Sequence, residues 1–209
     1  MENILIWALI MLCAVGQIFH SGLSKGHFRK GFYCYYTNLS NAAVLLFYLL
    51  FMLIPKGNII FEFFHSDISR YCITMTILLT FAIYHFILRP QWLSGKVENG
   101  RERHYAFHNI IVHYIVPLFT AAIWILFAPK ENLTIANCLL WVAIPLLYAA
   151  FVYIRAHFCG NIGNTQSPYP YPFMDISKNG VKKTAIIITL ICAVGMAAGA
   201  AVYFAVNLF

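Results

Sequence analysis

Six stretches of this chain contain no Asp, Glu, Lys or Arg, and each approaches the length of a bilayer span: residues 4–19, 37–54, 71–88, 105–127, 135–154 and 184–206. A helix needs about 20 predominantly apolar residues to cross the hydrocarbon core. Within lipid, backbone N–H and C=O groups must be satisfied inside the protein, which leaves helices or closed barrels. The alternation expected of a membrane barrel strand is absent. The blocks therefore predict an all-α polytopic membrane protein, a six-transmembrane helix bundle. The expected spans are residues 4–20, 37–54, 70–88, 105–128, 135–156 and 183–206, within one domain covering 1–209. Composition agrees: 61% of residues are hydrophobic and 10% charged, against roughly 25% charged in a soluble domain. No Ala-x-Ala-type cleavage site follows the first block, which reads as a span and not as a removed signal.

The formal net charge of +7 follows the same pattern. Lys25, Arg29 and Lys30 lie between the first two spans. Arg89, Lys96, Arg101 and Arg103 lie between the third and fourth, and Arg155, Lys178, Lys182 and Lys183 between the fifth and sixth. The opposite side carries Lys56, Arg70 and Lys130. The positive-inside rule places the three basic loops in the cytoplasm and both termini on the non-cytoplasmic side. Topology explains the basic excess, so nucleic acid is not an expected partner.

The six cysteines, Cys13, Cys34, Cys72, Cys138, Cys159 and Cys192, show no Cys-x-x-Cys spacing. No metal site or cofactor is expected from them. Cys72 and Cys138 fall near the same face, and their pairing stays open.

Polar side chains inside spans require a partner or a purpose, because lipid offers them neither. They gather at one end of the spans. Gln17 and His20 close the first, Thr37, Asn38, Ser40 and Asn41 open the second, and Tyr84 and His85 close the third. His108, Asn109 and His113 open the fourth, and Tyr153 and His157 close the fifth. The predicted topology makes this the cytoplasmic end, and the simplest geometry is a polar chamber. At helical spacing Thr37, Ser40 and Asn41 share a face, as do Asn109, His113 and Pro117. Structural readings stand beside the functional one: Thr37 as a helix cap, asparagines joining helices, and His113 as a satisfied hydrogen-bonding residue. His85 and His113, at similar depth, are also the residues a haem would use. The acids Glu2, Glu62, Asp67, Glu98, Glu102, Glu131 and Asp175 all fall outside the predicted spans. Of these, Asp175 alone is placed to reach the chamber, so a hydrolytic site here would be a Thr–His dyad and not a full triad.

Three features together resemble the androgen-induced membrane threonine hydrolases and their bacterial six-helix (Pr-six-Pr) relatives. They are Tyr36-Thr37-Asn38-Leu39-Ser40-Asn41, the segment from Asn109 through His113 to Pro117, and Tyr171-Pro172-Phe173. The resemblance implies an intramembrane hydrolase of lipid esters, including fatty acid esters of hydroxy fatty acids, with Thr37 as nucleophile and His113 as base. Tyr36, Asn38, Asn41, His85, Asn109, Tyr171 and Asp175 are the expected supporting or substrate-binding residues. Among them Tyr36, Asn38 and Asn41 are candidate donors to an oxyanion. The partner implied is a fatty-acyl ester within the membrane. The alternative is a lipid-binding protein or transporter using the same chamber without chemistry.

Overall fold

The computed structural model describes residues 1–94 and 104–207. Lys96, Glu98, Arg101, Glu102 and Arg103, counted among the loop charges, lie outside the described residues. Among those described, six helices are long and apolar enough to cross a membrane. These are α1 (Glu2–Ser21), α2 (Tyr36–Leu53), α3 (Asp67–Leu93), α4 (Phe107–Phe127), α5 (Ile135–Cys159) and α6 (Val181–Asn207). No strand occurs among the described residues. The chain is an all-α, multi-pass membrane protein.

The boundaries differ from the expected spans where local chemistry intervenes. Helix α3 runs through Pro90 to Leu93 because it widens into an i→i+5 turn at Tyr84–Leu88, where the Arg89 amide donates to the Tyr84 carbonyl. The wide turn absorbs a proline that would otherwise break the helix. The loop between α2 and α3 holds a short helix, Ile59–His65, capped by the Asn58 side chain. Two acids expected outside the spans, Glu2 and Asp67, instead open α1 and α3. Carboxylates are favoured there by the helix dipole.

The chain forms two compact units. The first comprises Met1–Phe28 with Thr37–Asn132, and the second Arg29–Tyr36 with Leu133–Phe209. In the first, Ile6, Leu9, Ile10, Cys13, Gly16 and Gln17 form one buried stripe on α1, as a 3.6-residue period dictates. The apolar part of the stripe joins Val44 and Tyr48 of α2, Ile77 of α3, and Ile111 and Val116 of α4 in one core. Gly16 permits a close approach to α4, since a Cβ there would sit 2.9 Å from Ile111 Cγ2. At the far end of α1, Glu2 Oε1 accepts from Arg70 at 2.6 Å. Asp67 Oδ2 accepts from the Asn132 amide at 2.8 Å.

In the second unit, Gly195 and Gly199 form a small-xxx-small pair on α6. A Cβ on Gly199 would collide with the Cys138 carbonyl of α5, and the Trp141 indole donates to the Gly195 carbonyl at 3.3 Å. Such pairs let helix backbones meet closely in lipid. The segment after α5 is tied back by Arg155, which donates to the carbonyls of Gly160 (2.9 Å), Pro168 (3.0 Å) and Asn161 (3.3 Å). Asp175 caps the short helix Ile176–Asn179 through the amides of Ser177 and Lys178. Burial alone would raise its carboxyl pKa, but hydrogen bonds from Ser177, Lys178 and Ser167 outweigh burial and hold it below the usual carboxylate range. No disulfide joins any of the six cysteines among the described residues.

Candidate functional site

The polar end of the first unit is built by proline chemistry in α4. Residues Ile111–Ile115 form a second wide turn, with the Val116 amide donating to the Ile111 carbonyl. In this register the next carbonyl, that of Val112, would pair with the amide of residue 117. That residue is proline and has no N–H. Asn41 of α2 supplies the missing donor, its Nδ2 reaching the Val112 carbonyl at 3.1 Å and the Thr37 carbonyl at 2.8 Å. Both amide hydrogens of Asn41 are thereby committed. Ser40 also donates to the Thr37 carbonyl at 3.0 Å and pairs with Thr80 Oγ1 of α3 at 2.7 Å. The start of α2 is thus locked to α3 and α4.

This locking brings Thr37 and His113 together. His113 Nδ1 lies 3.0 Å from the Asn109 carbonyl. A carbonyl only accepts, so Nδ1 carries the hydrogen, and a neutral ring then presents its lone pair at Nε2. Thr37 Oγ1 lies 3.3 Å from that Nε2. Both side chains are buried, with Thr37 7% and His113 4% exposed.

A second layer holds Asn109. Its Nδ2 donates to the Tyr84 hydroxyl at 2.6 Å and to the His104 carbonyl at 3.2 Å. Tyr84 also pairs with His104 Nδ1 at 2.7 Å. The Tyr84 ring stacks on His113, with centroids 3.8 Å apart. His104, outside the spans, has its imidazole pKa lowered by burial and further by Arg89, whose Nε lies 3.5 Å from His104 Nε2. The His20 ring lies 5.4 Å from that of His108 and 6.1 Å from that of His113.

Of the residues singled out by sequence, Thr37, Asn38, Asn41, Asn109 and His113 converge in the first unit, with Asn38 held through its carbonyl by Gln17 Nε2 at 2.9 Å. His85 meets the Tyr114 hydroxyl at 3.2 Å and stacks on Phe81. The residue lying on His113 is its neighbour Tyr84. Tyr36, Tyr171 and Asp175 belong to the second unit. The Tyr36 amide donates to the Tyr148 hydroxyl at 3.1 Å, and the Tyr171 ring stacks on Phe173. His104 carries no signal in the sequence, because it lies outside the uncharged blocks. Tyr84 is visible there as an intramembrane polar residue but belongs to no motif. Among the described residues, no group of three His, Cys, Asp or Glu side chains is placed to hold a metal ion. Comparison with protein-family models, curated proteins and solved structures finds no match.

Proposed function

We propose that this protein is an intramembrane hydrolase of lipid carboxylic esters, with Thr37 as nucleophile and His113 as general base. The observation that carries this reading is the buried 3.3 Å approach of Thr37 Oγ1 to His113 Nε2, with the tautomer fixed by Asn109. A threonine hydroxyl is a weak nucleophile until a base takes its proton. In the proposed step Oγ1 bonds to the ester carbonyl carbon and its proton passes to Nε2. The C–O bond to the alcohol then breaks, and the alkoxide takes that proton. The acylated Thr37 is released by water through the reverse proton path. The positive end of the α2 dipole favours the developing oxyanion. Asn38 stays a candidate donor, whereas Asn41 has no hydrogen left to give.

The resemblance to androgen-induced hydrolases supports long-chain esters, such as those of hydroxy fatty acids, as substrates. We read the three basic loops as cytoplasmic and both termini as non-cytoplasmic. A cysteine placed at Ser94 is then modified from the cytoplasmic side alone. The rival reading, a lipid-binding protein or transporter without chemistry, is favoured by the neutral carbonyl behind His113, where a triad has a carboxylate. Labelling with a fluorophosphonate separates the two. A hydrolase gives an adduct on the Thr37 peptide that Thr37→Ala and His113→Ala both abolish. A folded Thr37→Ala protein that still cleaves long-chain esters refutes the assignment.

A further inference from the structure

Two amide oxygens beside the dyad have no donor. Gln17 Nε2 donates to the Asn38 carbonyl, and Asn41 Nδ2 donates to the carbonyls of Thr37 and Val112. Carbonyls cannot donate, so neither amide can be flipped, and the oxygen end of each is fixed. Gln17 Oε1 and Asn41 Oδ1 are both buried without a hydrogen-bond partner among the described residues. Asn41 is 0% and Gln17 9% exposed. A buried acceptor left without a donor is costly, and a small molecule carrying O–H groups relieves that cost. The carbonyls these amides hold, those of Thr37, Asn38 and Val112, flank Thr37 and His113 in the chain.

We infer that Gln17 and Asn41 are positioning residues for the hydrolytic water, the second substrate of the dyad; this rests on the hydrolase reading. A water that gives one hydrogen to an amide oxygen keeps the other for His113 Nε2, which is released from its bond to Thr37 once Oγ1 is acylated. The water oxygen then bonds to the acyl carbon while its proton moves to Nε2. The carbon–Oγ1 bond breaks, Oγ1 recovers the proton, and a carboxylic acid leaves. The amide oxygens act only in this second half, because acylation needs no water.

The test uses the full-length protein in detergent or nanodiscs, with p-nitrophenyl esters and a fluorophosphonate as probes. Gln17→Met keeps the length of the side chain and removes the acceptor, together with the donor to the Asn38 carbonyl, which lies outside the dyad. The expected result is unchanged fluorophosphonate labelling, a p-nitrophenol burst, steady-state turnover slowed about 10-fold as the hydrogen bond to the water is lost, and acyl mass accumulating on the Thr37 peptide. Unchanged turnover, or labelling and turnover falling in parallel in a folded variant, overturns the inference. Should this variant misfold, an experimental structure that orders water decides: density at Gln17 Oε1 and Asn41 Oδ1 supports it, and a dry site overturns it. Wild-type protein that takes no label on Thr37 refutes the hydrolase reading itself, a result distinct from either of these.

Discussion

Tyr84 lies flat on His113, with ring centroids 3.8 Å apart and planes 27° from parallel, while its hydroxyl accepts from the Asn109 amide at 2.6 Å. One side chain of α3 therefore fixes the imidazole twice, by its face and through the residue whose carbonyl sets the tautomer. Tyr84→Phe keeps the face and drops the hydroxyl. We expect it to lose about 1–3 kcal/mol of stability and to label at Thr37 several-fold more slowly. Tyr84→Leu loses the stack as well, about a further 0.5–1.5 kcal/mol. Thermal unfolding in detergent and labelling rates check both. A Tyr84→Phe protein indistinguishable from wild type shows that the hydroxyl does not anchor His113.

Pro117 separates stability from alignment. Its missing amide leaves the Val112 carbonyl to Asn41, which draws α2 onto α4 beside the dyad. Pro117→Ala restores an N–H and improves helix propensity by up to about 3 kcal/mol. The wide turn at Ile111–Ile115 can then relax to the ordinary register and rotate His113 away from Thr37. Melting temperature should hold or rise while labelling falls roughly 10–100-fold, the cost of misplacing a reacting group by about 1 Å. Loss of both together would mean that the proline supports the helix itself and not the geometry of the dyad.

The spans were legible in the sequence because lipid imposes a single rule, and uncharged blocks of the right length obey it. Thr37 and His113 were legible only through their motif context. Residues 76 positions apart meet because of how far each helix is rotated about its axis, and apolar composition does not encode that rotation. The same gap explains His85 and Tyr84. Successive residues on a helix point about 100° apart, and the wide turn at Tyr84–Leu88 shifts the register again, so Tyr84 faces His113 where His85 draws attention. The exchange of partners at Pro117 was hidden because its two halves, Asn41 and Val112, lie on different helices. The ion pair of the part-exposed Glu2 with the buried Arg70 escaped because both residues sit at block edges, where charge reads as solvated.

His104 gives the first unit an acid-sensitive point. Burial holds its imidazole pKa below the usual value, and Arg89 adds to the effect. The folded protein therefore binds this proton less readily than the unfolded chain. Above about pH 6.5, the usual histidine value, His104 is neutral in both states and costs nothing. As pH falls below that value the unfolded state gains protons first, and stability declines until the lowered folded pKa is passed. His104→Asn, which retains a hydrogen-bonding group near Tyr84, should flatten the difference in melting temperature between neutral and mildly acidic buffer. The comparison with wild type removes the contribution of the other histidines. An equally steep acid loss in the variant would assign the sensitivity elsewhere.

Glu2 and Arg70 test whether the opposite end of the first unit is held by charge or by packing. The Arg70 side chain is 4% exposed and Glu2 29%, with 2.6 Å between them, and the guanidinium also lies over Phe51 at 5.2 Å. Removing one partner of a fully buried pair costs about 3–5 kcal/mol, because the other charge is left uncompensated. Partial exposure of Glu2 reduces that figure, so Glu2→Met should cost about 1–3 kcal/mol. Arg70→Met leaves a carboxylate that water can still reach and should cost less. The double substitution removes both charges and should be less harmful than the sum of the singles, by more than the roughly 0.5 kcal/mol scatter of independent sites. Unfolding free energies for the four proteins close this cycle. If the single effects simply add, the contact at 2.6 Å contributes no net attraction, and α1 is joined to α3 by its apolar stripe alone.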